Sequence, residues 1–465
     1  MEGKEQSYGE NDAFVIEPRG IEHIPEDQRY GKVRKLFNVW FASNLHLSVW
    51  TIGALGITLG LNFIGALTSI LTGTFLGAVV VGLSVAMGPK LGMPQMPQSR
   101  ASFGYHGNFV PAILSWLNFL GWFTVNNILG GLAMKEALHV PYLVSMLIIS
   151  LVTIVLALYG HNLIHGFERI MTWVVGLIFL VMTFVMLAHH GQTGAIPHHN
   201  SPVVWLTEFT VMFSYAVGWS PYGADYGRYL PQTTRIRGPV WITTFGLFIS
   251  IAWVSVVGAA LAAGFNGAAP ITLIGKTMGW FSVVAYVGLA LGSMSSNVLN
   301  IYSGSLAALT FGLPLKRWTS AILIGGVSIV LSLIFSSEGK AVDFLQNFLL
   351  FLVYWVTPWF GVQAVEFYIN KRTRIDNVLD FYRPRGPMAG IRWKGLGSFI
   401  IGFVVSIPFM ASAIYTGPIG HALKGADISY FVSGIVAGGL YYLFTISERR
   451  SRRASLHLAR PTVDQ

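Results

Sequence analysis

The stretch Phe213-Ser-Tyr-Ala-Val-Gly-Trp-Ser-Pro-Tyr-Gly-Ala-Asp-Tyr-Gly-Arg-Tyr-Leu-Pro231 starts as an apolar, helix-forming run and then departs from that pattern. Gly218, Pro221, Gly223 and Gly227 interrupt it, and Asp225 and Arg228 follow. Glycine weakens a helix, and proline removes a backbone donor and clashes with the preceding turn. In hydrocarbon, freed backbone groups survive only where protein buries them or where they line a cavity. Trp219 stands inside the break. The segment is therefore either a kinked helix or the wall of a site.

The surrounding chain decides that this stretch lies in a membrane. Of 465 residues, 53% are hydrophobic and 11% charged, with mean hydropathy +0.58. A soluble domain carries about 25% charged residues. Runs near the ~20 residues needed to cross a bilayer recur at 35–60, 63–87, 108–136, 141–160, 166–188, 203–226, 239–263, 280–306, 319–337, 342–369, 395–414 and 426–446. The expectation is an all-α polytopic membrane protein with twelve spans. Residues 1–30 are polar, without the apolar core of a signal peptide. Zero cysteines exclude disulfides, thiolate metal sites and cysteine nucleophiles.

With odd-numbered spans running outward, all of the 30 Lys and Arg residues except Lys135, Lys276, Lys340 and Lys424 fall on one side. Lysine and arginine mark the cytoplasmic side of short loops, so both termini are expected in the cytoplasm and the protein in the plasma (inner) membrane. The net charge of +10 is then a topology signal. The tail Arg449-Arg450-Ser-Arg452-Arg453 suits anionic headgroups better than nucleic acid.

Span 1 is irregular as well. Ser43-Asn44-Leu45-His46 places three polar side chains in an apolar run. Interrupted spans five apart point to inverted repeats with the binding site at the breaks. This organisation divides the chain into a segment 1–34, a first repeat 35–188, a second repeat 203–369, accessory helices in 395–446 and a basic tail 447–465.

Span 3 carries Trp122 and Asn126 four residues apart, on one helix face. An indole beside a carboxamide suits a planar heterocycle, although taken alone the pair is explained better by bundle packing and an interhelical hydrogen bond. Span 8 carries Ser296 and Asn300 at the same spacing, and Ser293 and Ser295 offer hydroxyls to a cation. His46 is a candidate proton carrier, since imidazole titrates near neutrality. Glu208 and Glu366 lie nearer span ends, where hydration or pairing is expected. Asp225 and Arg228, three apart, suggest a structural ion pair or gate lock. His189, His190, His198 and His199 share one external loop without specific zinc spacing. No HExxH, GxSxG or Walker A motif is present, so no enzymatic activity, cofactor or obligatory protein partner is expected.

With these motifs placed, the chain resembles the nucleobase:cation symporter-1 family, in its purine-cytosine permease branch. The resemblance rests on Gly20-Ile-Glu and Ile24-Pro-Glu-Asp before span 1, and on Gly88-Pro-Lys-Leu-Gly-Met-Pro-Gln, Gln98-Ser-Arg100 and Phe103-Gly104 between spans 2 and 3. Gly121-Trp122 with Asn126, Gly218-Trp219 with Asp225-Tyr226, and Asn300-Ile-Tyr-Ser303 complete it. It implies a five-plus-five inverted-repeat fold of the sodium-symporter type, two extra helices and alternating access. Trp122 and Trp219 would sandwich the substrate at the Gly218 step, Asn126 and Asn300 would hydrogen-bond it, and Asn44 would match a polar position of the site. A cation site would fall near Trp40, Ser43, Leu291 and Ser295.

Two departures stand out. Cytosine-type members read Asn-Asn-x-Pro-Asn where this chain has Ser296-Asn297-Val298-Leu299-Asn300, which suggests a different or larger ring. Met294 replaces a possible second hydroxyl, which leaves Na+ and H+ both open as the coupling ion. The expected function is import of a nucleobase-like heterocycle. The alternatives are an allantoin, hydantoin or vitamin B6-type substrate, or a sensor that binds without transporting.

Overall fold

A computed structural model describes residues 12–188, 200–265, 270–336, 338–371, 378–412 and 415–448. The four loop histidines and the arginines from Arg449 onward lie outside these residues. Helical segments occur within each predicted span among the described residues. Among the described residues, eight helices are long and apolar enough to cross a membrane, and Leu47–Thr58, Trp393–Phe409 and Ser429–Phe444 are shorter apolar helices. Spans 4 and 5 turn Leu151, Val155, Trp173, Leu177 and Phe184 outward, as residues facing hydrocarbon should be.

Both expected breaks are present. Span 1 divides into Lys35–Ala42 and Leu47–Thr58. Span 6 divides into Pro202–Val217, a 3-10 turn at Ser220–Tyr222 and the short helix Gly223–Gly227. Spans 2 and 3 are Phe63–Val85 and Phe109–Leu138, spans 4 and 5 are Tyr142–Tyr159 and His161–Ala188. Spans 7, 8, 9 and 10 are Arg237–Gly264, Ser282–Thr310, Arg317–Ile334 and Glu338–Ala364.

The packing carries the repeat that residue-by-residue similarity does not. Span 3 packs on span 8, and span 2 on span 7. Span 1 packs on spans 7 and 5, and span 6 on spans 2 and 10. Span 8 also touches spans 4, 5 and 9, where span 3 touches spans 9, 10 and 4. Adding five to every number, modulo ten, leaves these principal pairings unchanged. That is the signature of an inverted-repeat transporter. Span 12 packs on spans 10 and 11, outside the repeat.

The connection between spans 2 and 3 is more ordered than a basic loop. It folds into Met87–Leu91, Gln95–Gln98 and Arg100–Phe103, buried at every position but Lys90. Arg100 donates to the carbonyls of Phe381 at 2.8 Å and Thr310 at 2.9 Å, and its guanidinium lies 4.2 Å from the Tyr105 ring centroid.

Candidate functional site

The two breaks meet at Asn44. Its amide nitrogen donates to the Trp40 carbonyl at 2.7 Å and so caps the first half of span 1. Its amide oxygen accepts from the Tyr215 hydroxyl at 2.9 Å and from Trp219 Nε1 at 3.1 Å. One carboxamide thus satisfies a cut helix end and ties it to both sides of the span 6 break. His46, extended and fully buried, begins the second half of span 1, with Nε2 3.2 Å from the Tyr215 hydroxyl.

Spans 3 and 8 supply the facing side. Ser48 donates to Asn126 Oδ1 at 2.8 Å, and Asn126 Nδ2 donates to Ser296 at 2.9 Å. This chain of polar groups runs from span 1 through span 3 to span 8. Asn300 donates to Asn297 Oδ1 at 2.9 Å and accepts from the Tyr222 hydroxyl, which fastens span 8 to the span 6 break. Asn126 and Asn300 therefore satisfy neighbouring protein groups, as buried amides must. Gly218 is in ordinary helical geometry (φ −56°, ψ −19°) and offers its carbonyl to Asn118 Nδ2 at 3.3 Å.

Both indoles are buried, each 6% exposed. Trp122 stands edge-on to Tyr215, with ring centroids 5.1 Å apart, and to Phe348 at 5.3 Å. Trp219 stands edge-on to Trp40 at 5.8 Å. Tyr215 links the pair: its ring touches Trp122, and its hydroxyl shares Asn44 with Trp219.

Of the residues implied for a cation, Ser295 and Leu291 lie one turn apart on span 8. The residue between them, Gly292, has a built Cβ position 1.8 Å from the Leu45 carbonyl. Only glycine permits span 8 to approach the span 1 break this closely. The donor set is hard oxygen, which suits an alkali cation or a proton. Trp40 fits poorly, because its carbonyl already accepts from Asn44 and lies 3.3 Å from Ser250 Oγ. Ser295 donates to Glu168 of span 5.

Two expectations about charge are corrected and a third holds. Asp225 and Arg228 make no ion pair with each other. Arg228 instead donates to Glu17 at 2.6 Å, to the Gly20 carbonyl at 2.7 Å and to the Tyr302 hydroxyl at 2.9 Å, while Asp225 accepts the Gln95 backbone N–H at 2.8 Å. The i,i+3 spacing is overridden because a buried guanidinium needs several acceptors at once. Glu208 is fully buried rather than hydrated, and neither carboxylate oxygen has a hydrogen-bond partner. Glu366 is paired as expected, accepting from Tyr441 at 2.7 Å and Asn370 at 3.0 Å.

Glu17 is the residue that reading the sequence missed. It sits in the segment before span 1, yet its side chain is wholly buried. It accepts from Arg228, from the Tyr229 hydroxyl at 2.6 Å and from the His161 backbone N–H at 3.0 Å, with Arg317 Nε 3.9 Å away. It thereby closes one end of the bundle by joining spans 5, 6 and 9. Beside it a cavity of about 260 Å³ is bounded by Tyr30, Lys35, His161, His165 and Arg169, away from the two tryptophans.

Residues 23–433 match the family of permeases for cytosine/purines, uracil, thiamine and allantoin. YxlA of Bacillus subtilis, itself named provisionally as a purine-cytosine permease, is 29% identical over 94% of this chain and 98% of its own length. The purine-cytosine permease fcyB of Emericella nidulans is 28% identical over 89% of this chain and 85% of its own. The fold is similar to that of Mhp1, a nucleobase-cation-symport-1 family transporter solved closed with bromovinylhydantoin bound. There the TM-score is 0.79 at 18% identity, covering 94% of this chain and 96% of that one. Broken spans 1 and 6, a packing pattern that repeats every five spans and a match across most of its length together place this chain in the nucleobase:cation symporter-1 family of permeases for cytosine/purines, uracil, thiamine and allantoin.

Proposed function

We propose that the protein is a secondary-active symporter that imports a nucleobase or a nucleobase-like planar heterocycle by alternating access, driven by Na+ or H+. The observation that carries this reading is the hydrogen-bonded junction of Asn44, Tyr215 and Trp219 across the two breaks, with Asn126 opposite. A flat ring would stack between Trp122 and Trp219 and exchange the protein's internal amide contacts at Asn126 and Asn300 for its own. Such an exchange leaves no buried polar group unsatisfied, which is how a site rejects rings with the wrong edge. Ser296, shorter than an amide, leaves room on the span 8 side for a substituted ring. Hydantoins, allantoin and vitamin B6-type pyridines are therefore the second substrate group. The Lys and Arg asymmetry of its loops supports a plasma-membrane protein with both termini in the cytoplasm.

The test is uptake of labelled cytosine, adenine, hypoxanthine, uracil, allantoin and pyridoxine into proteoliposomes, under sodium and under proton gradients. Competition by at least one flat heterocycle is expected. Binding without counterflow would support a sensor, and competition by zwitterions alone would overturn the heterocycle reading.

A further inference from the structure

Glu168 is a carboxylate without a counter-charge in the middle of the bundle. It lies in span 5 and is fully buried. Oε2 accepts from Ser295, and Oε1 has no hydrogen-bond partner. Among the described residues no ion pair reaches it, and Arg169, next in sequence, is exposed. One turn along the same face, Thr172 Oγ1 lies 3.4 Å from the Asn38 carbonyl of span 1. Glu168 therefore stands where spans 1, 5 and 8 converge, beside the approach of Leu45 to Gly292.

A buried carboxylate must be paired, neutralised or bound to a metal ion. A proton on the carboxyl, shared with Ser295, is the competing way to neutralise it, and the experiment below separates the two. The oxygen-only surroundings suit a hard cation, and one negative charge is balanced by one monovalent ion. The neutral oxygens implied for a family cation site are also reduced here. Met294 supplies no hydroxyl, and the Trp40 carbonyl is engaged by Asn44. We propose that Glu168 completes a sodium site with Ser295 Oγ and carbonyls of the broken turn of span 1, its carboxylate replacing the missing neutral ligands. This rests on the symporter reading, but not on which ring is carried.

The experiment uses the purified full-length protein without substrate. Its thermal unfolding midpoint and tryptophan fluorescence are followed during titration with NaCl, against KCl at matched ionic strength. The wild type is expected to be stabilised by Na+ over K+. Glu168→Gln should move the Na+ midpoint at least tenfold higher while still unfolding cooperatively. Glu168→Asp, which keeps the charge, should recover part of the response if Glu168→Gln does not fold. Ser295→Ala should weaken Na+ binding less than Glu168→Gln. An unshifted Na+ midpoint in Glu168→Gln overturns the proposal. So does a wild type that ignores Na+ but responds to pH, which would make Glu168 a proton carrier. A failed uptake panel with the Na+ response intact would remove the substrate reading alone.

Discussion

In span 6 the helix is interrupted by residues that continue it badly, Gly218, Pro221 and Gly223. Span 1 is interrupted at Ser43–His46, with neither glycine nor proline in the gap. The first break follows from local chemistry. The second is held from outside, by Asn44 capping Trp40, by Tyr215 and Trp219 bonding Asn44, and by Gly292 receiving the Leu45 carbonyl. Half of the site therefore depends on residues distant in sequence. The span 1 break should be the more fragile of the two.

The sharpest way to break the comparison is Gly292→Ala. A methyl group there would lie 1.8 Å from the Leu45 carbonyl, so span 8 or the broken turn must move. Overpacking of a close contact costs about 1–3 kcal/mol or more. The expected result is a loss of uptake greater than roughly tenfold and a lowered unfolding midpoint. Gly326→Ala, where a Cβ meets nothing within 4 Å, is the matched control and should leave both near wild type. Equal behaviour of the two variants would show that the span 1 break does not depend on its neighbour.

Next in size is Trp219→Ala. Stacking of a base on an aromatic ring contributes about 1–3 kcal/mol, so affinity should fall by roughly 5- to 150-fold in a competition-binding assay. Trp122→Ala should fall in the same range if the two indoles form one sandwich. A loss confined to one of them would reduce the sandwich to a single platform.

Asn44→Ala separates the breaks differently. It leaves the Trp40 carbonyl, the Tyr215 hydroxyl and the Trp219 N–H to find new partners, at about 1–3 kcal/mol for each group left unmade. The unfolding midpoint should drop even without substrate. Asn126→Ala should cost affinity more than Ser296→Ala, because Asn126 bonds both Ser48 and Ser296 whereas Ser296 ends the chain. The reverse order would move the main polar contact to span 8.

These residues also show where the sequence was readable. Gly218, Pro221 and Gly223 announce their break within a few positions, and Trp122 with Asn126 share a face by helical spacing alone. Glu17 announces nothing, because its partner Arg228 lies 211 positions away in a segment whose i,i+3 neighbour Asp225 was the obvious choice. Glu168 sits among His161, His165 and Arg169, a composition that reads as a hydrated span end. Only packing against span 8 reveals it as buried. Local chemistry predicts where a helix stops, whereas the partners of isolated charges are set by the fold.

The smallest effect is expected from Pro221→Ala, and it tests whether the span 6 break is as local as its composition implies. Pro221 opens a 3-10 turn, where its missing N–H would have had no helical partner. Its loss should cost only the preorganisation of the unfolded chain, about 0.4–1 kcal/mol of folding stability, which lowers the unfolding midpoint slightly and leaves uptake close to wild type. The turn is also fixed by Asn118 on the Gly218 carbonyl, by Tyr222 on Asn300 and by Gln95, whose side chain accepts the Ala224 N–H at 2.9 Å. If Pro221→Ala instead reduces uptake as far as Gly292→Ala, these contacts do not hold the turn by themselves. The two breaks would then differ as completely as their sequences do. If the loss stays small, Gly218 and Gly223 suffice to open the turn without the proline, and the contrast stands between a break written locally and one held from outside.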